Sequence, residues 1–433
     1  MDHKVPQGRW FRIIPPAILV YIVAFMDRTN IGFAMAGGMD KELGMTAAFS
    51  GLAAGIFFIG YMVLQVPGGL IAERGSAKKF IAWSIVGWGL LATISGFVQN
   101  PIQLLIVRFF LGVAEGGVWP AILVIISKWF PNEERGRANA FFIMNIAIAS
   151  IITGPLSGWI LTQWDWRMVF IIEGIISLAL IAVWLPLISD CPETAKWISK
   201  EELDYLNKKF QEEREARQAN LQTNTSFKEI FKMANTWKLI LIYFCYQTGI
   251  YGFSLWLPTI IKGLTHTGMG NVGFLSTLPY IGTIVGLYIF AVLSDRSRNR
   301  KLYTALPLLG FSICLLLSVQ FESKIWLAFA FLIGCGVFLQ AASSIFWTIP
   351  PLLFEADAAG GARGIINALG NLGGFLGPYI VGLLTSNYSQ GAGTYGLVFF
   401  LLIGFILTLL LPSVTSGVNV KEKGIDSETA IQK

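Results

Sequence analysis

Two adjacent charges sit where a membrane helix has little reason to hold them. Asp27 and Arg28 lie in Phe25-Met26-Asp27-Arg28-Thr29-Asn30-Ile31-Gly32-Phe33-Ala34, inside an apolar run from Ile13 to Met35. As a helix that run is about 34 Å long, enough to cross a bilayer. Each charge costs about 3 kcal/mol at the bilayer centre, so such residues face a bundle interior or a wet cavity and mark an ion or substrate path. Neighbours on a helix point about 100° apart, so Asp27 and Arg28 need separate partners. Arg108 and Glu115 can supply them. Spaced seven apart in another apolar run, they share a helix face about 10 Å from each other along the axis. Their depths lead us to expect Asp27 paired with Arg108, and Glu115 within reach of Arg28. Arg28 offers a planar, permanently charged fork for a carboxylate. Asp27 and Glu115, the acids deep in the first four runs, are suited to load protons on one side and release them on the other. A monoanion entering with two protons carries one positive charge inward, which gains about 2.3 kcal/mol at about 100 mV. The alternative is a fixed structural ion cluster, a costly way to hold helices together. Glu173, a third acid beside Trp166-Arg167, is expected in a structural ion pair.

The elements that must position these residues are membrane helices. Of 433 residues, 54% are hydrophobic and 13% charged, about half the charged share of a soluble domain. Repeated apolar runs longer than about 18 residues define an all-α polytopic membrane protein. We count twelve spans, near 13–35, 48–72, 80–98, 102–127, 136–161, 167–188, 238–261, 270–292, 302–320, 325–349, 362–386 and 394–412. Cys191, Cys245, Cys314 and Cys335 have no paired spacing and read as free thiols. His3 and His266 fall in the N-terminal tail and a loop, so neither a histidine proton relay nor a buried histidine metal site is expected. The first run follows Lys4, Arg9 and Arg12 without a small-residue cleavage site and reads as a retained helix.

Cations divide unevenly between alternate loops. One set holds Lys4, Arg9, Arg12, Arg74, Lys78, Lys79, Lys128, Arg135, Arg137, Arg296, Arg298, Arg300, Lys301 and Arg363; the other holds Lys41, Arg167, Lys262 and Lys324. Positive residues stay inside, so both termini and the long central loop are expected in the cytoplasm. The net charge of +6 then reflects topology rather than nucleic-acid binding. Residues 1–188 form a first six-helix bundle, 189–237 a cytoplasmic central loop with a surface helix over Glu201 to Arg217, 238–412 a second six-helix bundle and 413–433 a cytoplasmic tail. The bundles repeat weakly: Glu73-Arg74 recurs as Asp295-Arg296 at an offset of 222, and Gly154-Pro155 as Gly377-Pro378 at an offset of 223. Pseudo-symmetric halves around a central loop describe a secondary transporter with its site at midplane between them.

After span two the chain reads Gly69-Leu70-Ile71-Ala72-Glu73-Arg74-Gly75-Ser76-Ala77-Lys78. This resembles the G-x-x-x-D-R-x-G-R-K signature of the major facilitator superfamily, with Glu for Asp and with Ser76 and Ala77 in place of Gly and Arg. The acid–base core remains, and Glu73, Arg74, Asp295 and Arg296 are expected to gate the inner side. Three further stretches resemble the anion:cation symporter family: the helix 1 stretch above, Arg108-Phe109-Phe110-Leu111-Gly112-Val113-Ala114-Glu115-Gly116, and Trp166-Arg167 followed by Phe170-Ile171-Ile172-Glu173-Gly174. That family carries organic anions such as sugar acids, tartrate and phthalate, usually with protons. Its galactonate transporters often have Tyr where this chain has Phe25. The resemblance implies that Arg28 and Arg108 hold the substrate carboxylate. It also implies that Tyr61, Asn145, Gln247, Ser344, Trp347, Asn367 and Asn371 are candidates for substrate hydroxyls. Helix 7 has only Lys238 and Lys262, at its ends, whereas the sister organophosphate:phosphate antiporters use an Arg from each half, which disfavours a phosphate ester.

Gly112, Gly116, Gly117 and Gly370 to Gly377 read as close-packing surfaces. Trp83, Trp88, Trp237 and Trp256 read as belt or lipid-facing residues. The implied protein is a monomeric, proton-coupled symporter. It imports a small organic anion, a sugar acid or hydroxylated carboxylate, across a cell membrane, by its short loops a bacterial inner membrane. No enzyme chemistry, cofactor or metal is expected. An uncoupled carrier or exchanger is one alternative, and a transporter-like nutrient sensor another.

Overall fold

A computed structural model describes residues 7–219, 227–354, 356–389 and 391–412. Among them are twelve helices long and apolar enough to cross a membrane, six before the central segment and six after it. They are α1 (Gly8–Ala36), α2 (Ala47–Arg74), α3 (Ala77–Ser95), α4 (Pro101–Trp129), α5 (Asn132–Gln163), α6 (Trp166–Leu187), α7 (Ala234–Thr265), α8 (Met269–Ser297), α9 (Arg300–Gln320), α10 (Ile325–Leu353), α11 (Gly361–Asn387) and α12 (Ala392–Leu409). Each coincides with an expected span, and several run a turn further into polar sequence. The starts are set locally. Thr46, Ser76, Asn100 and Asp165 accept hydrogen bonds from the backbone N–H of Phe49, Lys79, Gln103 and Arg167, which satisfies donors that a helix start leaves free. Five helices are interrupted along their length: α4 at Gly117, α5 at Met144, α6 at Leu180, α10 at Gln340 and again after Phe346, and α11 at Asn371. Gly117 and Gln340 stand 223 residues apart, an offset of the sequence repeat.

Glycine decides how close the helices come. A methyl group on Gly112 would stand 2.0 Å from the carbonyl oxygen of Phe57, and one on Gly60 would stand 2.0 Å from that of Phe109. The α2 and α4 backbones therefore touch, which only a residue without Cβ allows. Contacts between the first six helices and the last six concentrate at the end away from the central segment. There Gly51 and Gly55 of α2 meet Pro378 and Phe375 of α11, Gly154 of α5 meets Gly273 of α8, and Gly32 of α1 meets Leu255 of α7. Lys262 Nζ donates to the Ala36 carbonyl at 2.6 Å at the same end. Trp83 and Trp237 are exposed on the bundle surface, as expected, but Trp88 and Trp256 are buried. The indole of Trp256 donates to the Pro378 carbonyl at 3.0 Å, so it joins α7 to α11 instead of meeting lipid.

The central segment carries the expected surface helix, Lys200–Ala219. It is clamped to the first six helices. Arg9, 1% exposed, donates to Glu202 at 2.6 Å and to Glu134 at 2.7 Å. Tyr205 donates to the same Glu134, Lys209 pairs with Glu133 at 3.0 Å, and Trp197 stacks on Trp129 at 5.1 Å. Arg9→Ala leaves Glu202 buried beside no guanidinium, a loss of about 3–5 kcal/mol. We expect trypsin to cut within Lys200–Ala219 at least about a hundredfold faster in that variant, since about 1.4 kcal/mol is a factor of ten; unchanged cleavage would mean the clamp does not hold the helix. Residues 220–226 of the central loop and the expected tail, 413–433, lie outside the described residues.

Candidate functional site

The approach of α2 to α4 delivers aromatic rings to Arg28. Gly116 meets the Tyr61 carbonyl as Gly112 meets that of Phe57. The Arg28 guanidinium accordingly lies 4.8 Å from the Tyr61 ring, 5.2 Å from Phe57, 5.7 Å from Phe25 and 5.9 Å from Tyr21. One NH2 group of Arg28 is ion-paired with Glu115 of α4 and bonds the Tyr21 hydroxyl at 3.4 Å. The other bonds the hydroxyl of Tyr251, on α7, at 3.3 Å. Arg28 thus sits where the two groups of six helices meet, 4% exposed and surrounded by π faces that favour a cation. Its Nε and the Oε2 of Glu115 have no protein partner, so the pair keeps one donor and one acceptor uncommitted.

Arg28 and Glu115 are together, as expected, but Asp27 and Arg108 do not pair. Arg108 turns its fork onto the α1 backbone, donating to the Asp27 carbonyl at 3.1 Å and to the Arg28 carbonyl at 3.2 Å. The Asp27 carboxylate points the other way and accepts from Ser177 of α6. The helical turn between neighbours explains this: with Arg28 aimed at α4, Asp27 must face a different helix. Glu173 also departs from expectation. It has no ion-pair partner among the described residues and accepts from Ser157 Oγ at 2.8 Å and Asn30 Nδ2 at 3.1 Å. Arg167 pairs instead with Glu42, outside the spans, at 2.5 Å. Hydrogen bonds from the Trp166 indole and from Arg167 hold the Glu42 carboxyl below the usual range.

From the second six helices the structure gathers an amide chain. Gln247 donates to Asn371 at 2.9 Å, Asn371 to Asn367 at 3.2 Å, and the Tyr243 hydroxyl lies 3.5 Å from Asn367. Trp347 packs edge-on against Tyr243 at 5.0 Å. Two candidates stand apart. Ser344 is exposed and bonds its own helix at Ala341. Asn145 is buried but turns its amide back to the Phe142 carbonyl at 2.5 Å, across the interruption in α5. Of the expected gate residues, Glu73, Arg74 and Arg296 are exposed, and Asp295, in the last turn of α8, pairs with Arg300 at the start of α9 at 2.6 Å.

Sequence reasoning passed over Tyr21, Phe57, Tyr243, Tyr251 and Ser177. Two of these left a signal. Tyr21 is seven residues before Arg28, on the same helix face. Tyr251 is 223 residues after Arg28, so the contact joins corresponding positions of the repeat.

A twelve-helix bundle with an arginine–carboxylate pair at the junction of its halves is the architecture of a membrane transporter. Residues 17–378 and 263–430 match the model of the Major Facilitator Superfamily. The chain belongs to that family, and is a multi-pass membrane transporter and not an enzyme. It is 33% identical to a candidate tartrate transporter of Agrobacterium vitis, over 100% of this chain and 95% of that one. It is 34% identical to a quinolone resistance transporter of Acinetobacter baumannii, over 93% of each. Among solved structures it is similar to a bacterial homologue of the human lysosomal transporter Spinster, inward-facing and unoccupied. The TM-score is 0.74 at 16% identity, covering 94% of this chain and 97% of that one.

Proposed function

We propose that the protein imports a small organic anion, a sugar acid or hydroxylated carboxylate, together with protons, by alternating access. One observation carries this reading: the Arg28 fork is held by Glu115 at the junction of the two halves. A substrate carboxylate can take Arg28 only by displacing Glu115, and a carboxyl stripped of its cation in a dry site takes up a proton. Anion binding and proton uptake are then one event. Asp27 is the second proton carrier, and the Gln247–Asn371–Asn367 chain with Tyr243, Tyr251 and Tyr61 supplies partners for substrate hydroxyls. Ser344 and Asn145 are the weaker candidates, since each is engaged with its own helix.

The loop-charge asymmetry supports cytoplasmic termini. Under that orientation the end where the halves pack through glycines is the outer one, and we place the opening of the site on the cytoplasmic side. Glu73, Arg74, Asp295 and Arg296 would then engage each other only when that side closes. The name of the Agrobacterium relative supports a hydroxylated dicarboxylate as substrate. The name of the Acinetobacter relative supports a second reading, export by the same anion site. A plasma membrane of bacterial inner-membrane type and a monomer complete the proposal.

The test is charge movement in proteoliposomes under imposed pH gradients, with aldonates, hexuronates, aldarates, tartrate, phthalate and one hexose phosphate. Inward positive current that grows with outside acidity for one acid supports symport. Exchange of an acid without pH-driven accumulation would leave an uncoupled carrier, and accumulation driven only outward would leave an exporter.

A further inference from the structure

Apart from Arg9 at the start of α1, five acidic or basic side chains are buried in the first six helices: Asp27, Arg28, Arg108, Glu115 and Glu173. Two are guanidiniums and three are carboxyls, so with every group charged the cluster carries one uncompensated negative charge. Unpaired charge is costly in such surroundings. Glu115 has Arg28, and Arg108 is turned onto backbone carbonyls that flank Asp27. The surplus therefore falls on Asp27 and Glu173, both 0% exposed. The two stand about one helical turn apart across the α1–α6 contact: the Ser177 hydroxyl, one turn after Glu173 on α6, bonds the Asp27 carboxylate and its own helix at the Glu173 backbone carbonyl, and Asn30, three residues after Asp27 on α1, bonds the Glu173 carboxyl. Asp27 Oδ1 and Asn30 Oδ1 are buried acceptors without a protein donor, while Asn30 Nδ2 already bonds Glu173. The pair is thus one proton short of satisfied.

We propose that Asp27 and Glu173 form a single proton-holding unit with one exchangeable proton between them, with Glu173 a working member of the coupling machinery. Two carboxyls in one site that cannot both ionise behave this way. A route to the junction of the halves is built in. Ser157, which bonds Glu173, continues a face of α5 through Thr153 and Ser150. Those two residues line a cavity of about 10 Å³ with Thr29, Ser254, Ser276 and Tyr280, near the lower limit for a single water. The charged and titratable groups around Glu173 are few. From α1 come Asn30, bonded to Glu173, and Asp27, bonded to Ser177 one turn along α6; α5 offers Ser157, and α3 offers Thr93 against Gly174; Arg108 and Glu115 of α4 lie beyond, on the Asp27 carbonyl and on Arg28. Across the cavity α8 offers Tyr280.

The role of this unit in transport rests on the proton-coupled reading above, but its proton can be read without any substrate. The experiment is an infrared pH titration of the full-length protein in liposomes, following the carbonyl stretch of a protonated carboxyl. Wild type is expected to show a buried carboxyl band that disappears as pH rises. Glu173→Gln should remove the shared titration. Ser177→Ala, which keeps both carboxyls, should shift the titration midpoint by about half a pH unit or more. A band in wild type that does not titrate, or a titration unchanged in both variants, would overturn the proposal. If the titration behaves as expected while transport of the panel acids ignores pH, the shared proton stands and the symport reading fails.

Discussion

Arg28→Ala should lower anion affinity by about a hundredfold, the loss expected when one member of a buried, hydrogen-bonded charge pair is truncated, about 3 kcal/mol. The reason lies in what else could replace it. Arg108 is the other guanidinium nearby, and both its terminal nitrogens are committed to α1 carbonyls. No lysine is among the buried residues of the described chain. Arg28→Lys separates charge from shape. An ammonium keeps the charge but loses the planar fork and much of its stacking on Tyr61 and Phe57. About a tenfold loss is expected there, near 1.4 kcal/mol. Binding measured on monodisperse protein checks both, and equal losses for the two variants would show that geometry at this residue is irrelevant. Retention of affinity in Arg28→Ala would remove the anion site from this junction altogether.

Glu115→Gln should do something different in sign. The amide can still accept from Arg28 but no longer competes with a carboxylate for its charge. Substrate should therefore bind as well as or better than in wild type, and binding should lose its dependence on pH. Accumulation should fail. With membrane potential clamped at zero, each coupled proton gives about tenfold accumulation per unit of pH gradient, because about 1.4 kcal/mol is a factor of ten. The variant should lose the share carried by Glu115 while exchange of labelled for unlabelled substrate continues. Counterflow that persists as net uptake collapses is the expected pattern. Unchanged gradient-driven uptake would return Glu115 to a structural role, and loss of counterflow together with uptake would mean that the pair is needed for folding or rocking rather than coupling.

Much of the fold was legible because each membrane helix announces itself over its own length. Residues 47–74 must be helical in hydrocarbon, whatever surrounds them, since every backbone polar group has to be satisfied within the segment. The same logic exposed Asp27, Arg28, Arg108, Glu115 and Glu173 as exceptional: a charge that lipid would reject has to be explained by something inside. The spacing of Arg108 and Glu115 even indicated that Glu115 could reach Arg28, and the contact is present.

The residues alone therefore specified the number of helices, their approximate spans, the repeat and the identity of the buried ions. The family resemblance added the transported class as an expectation. Which ion meets which was settled by packing between helices. Partner choice depends on the azimuth of each helix and on how near its neighbour stands, and both are set by contacts distant in sequence. Gly112 against Phe57 brings the aromatic wall to Arg28, and the rotation of α1 hands Asp27 to Ser177 rather than to Arg108. Trp256 reads as a lipid-facing residue along its own helix and becomes a buried strut because Pro378 of α11 offers it a carbonyl. The physical reason is one of range. Hydrophobicity and helix formation are satisfied within a single segment, whereas a buried charge is satisfied only by a neighbour whose position the whole bundle fixes.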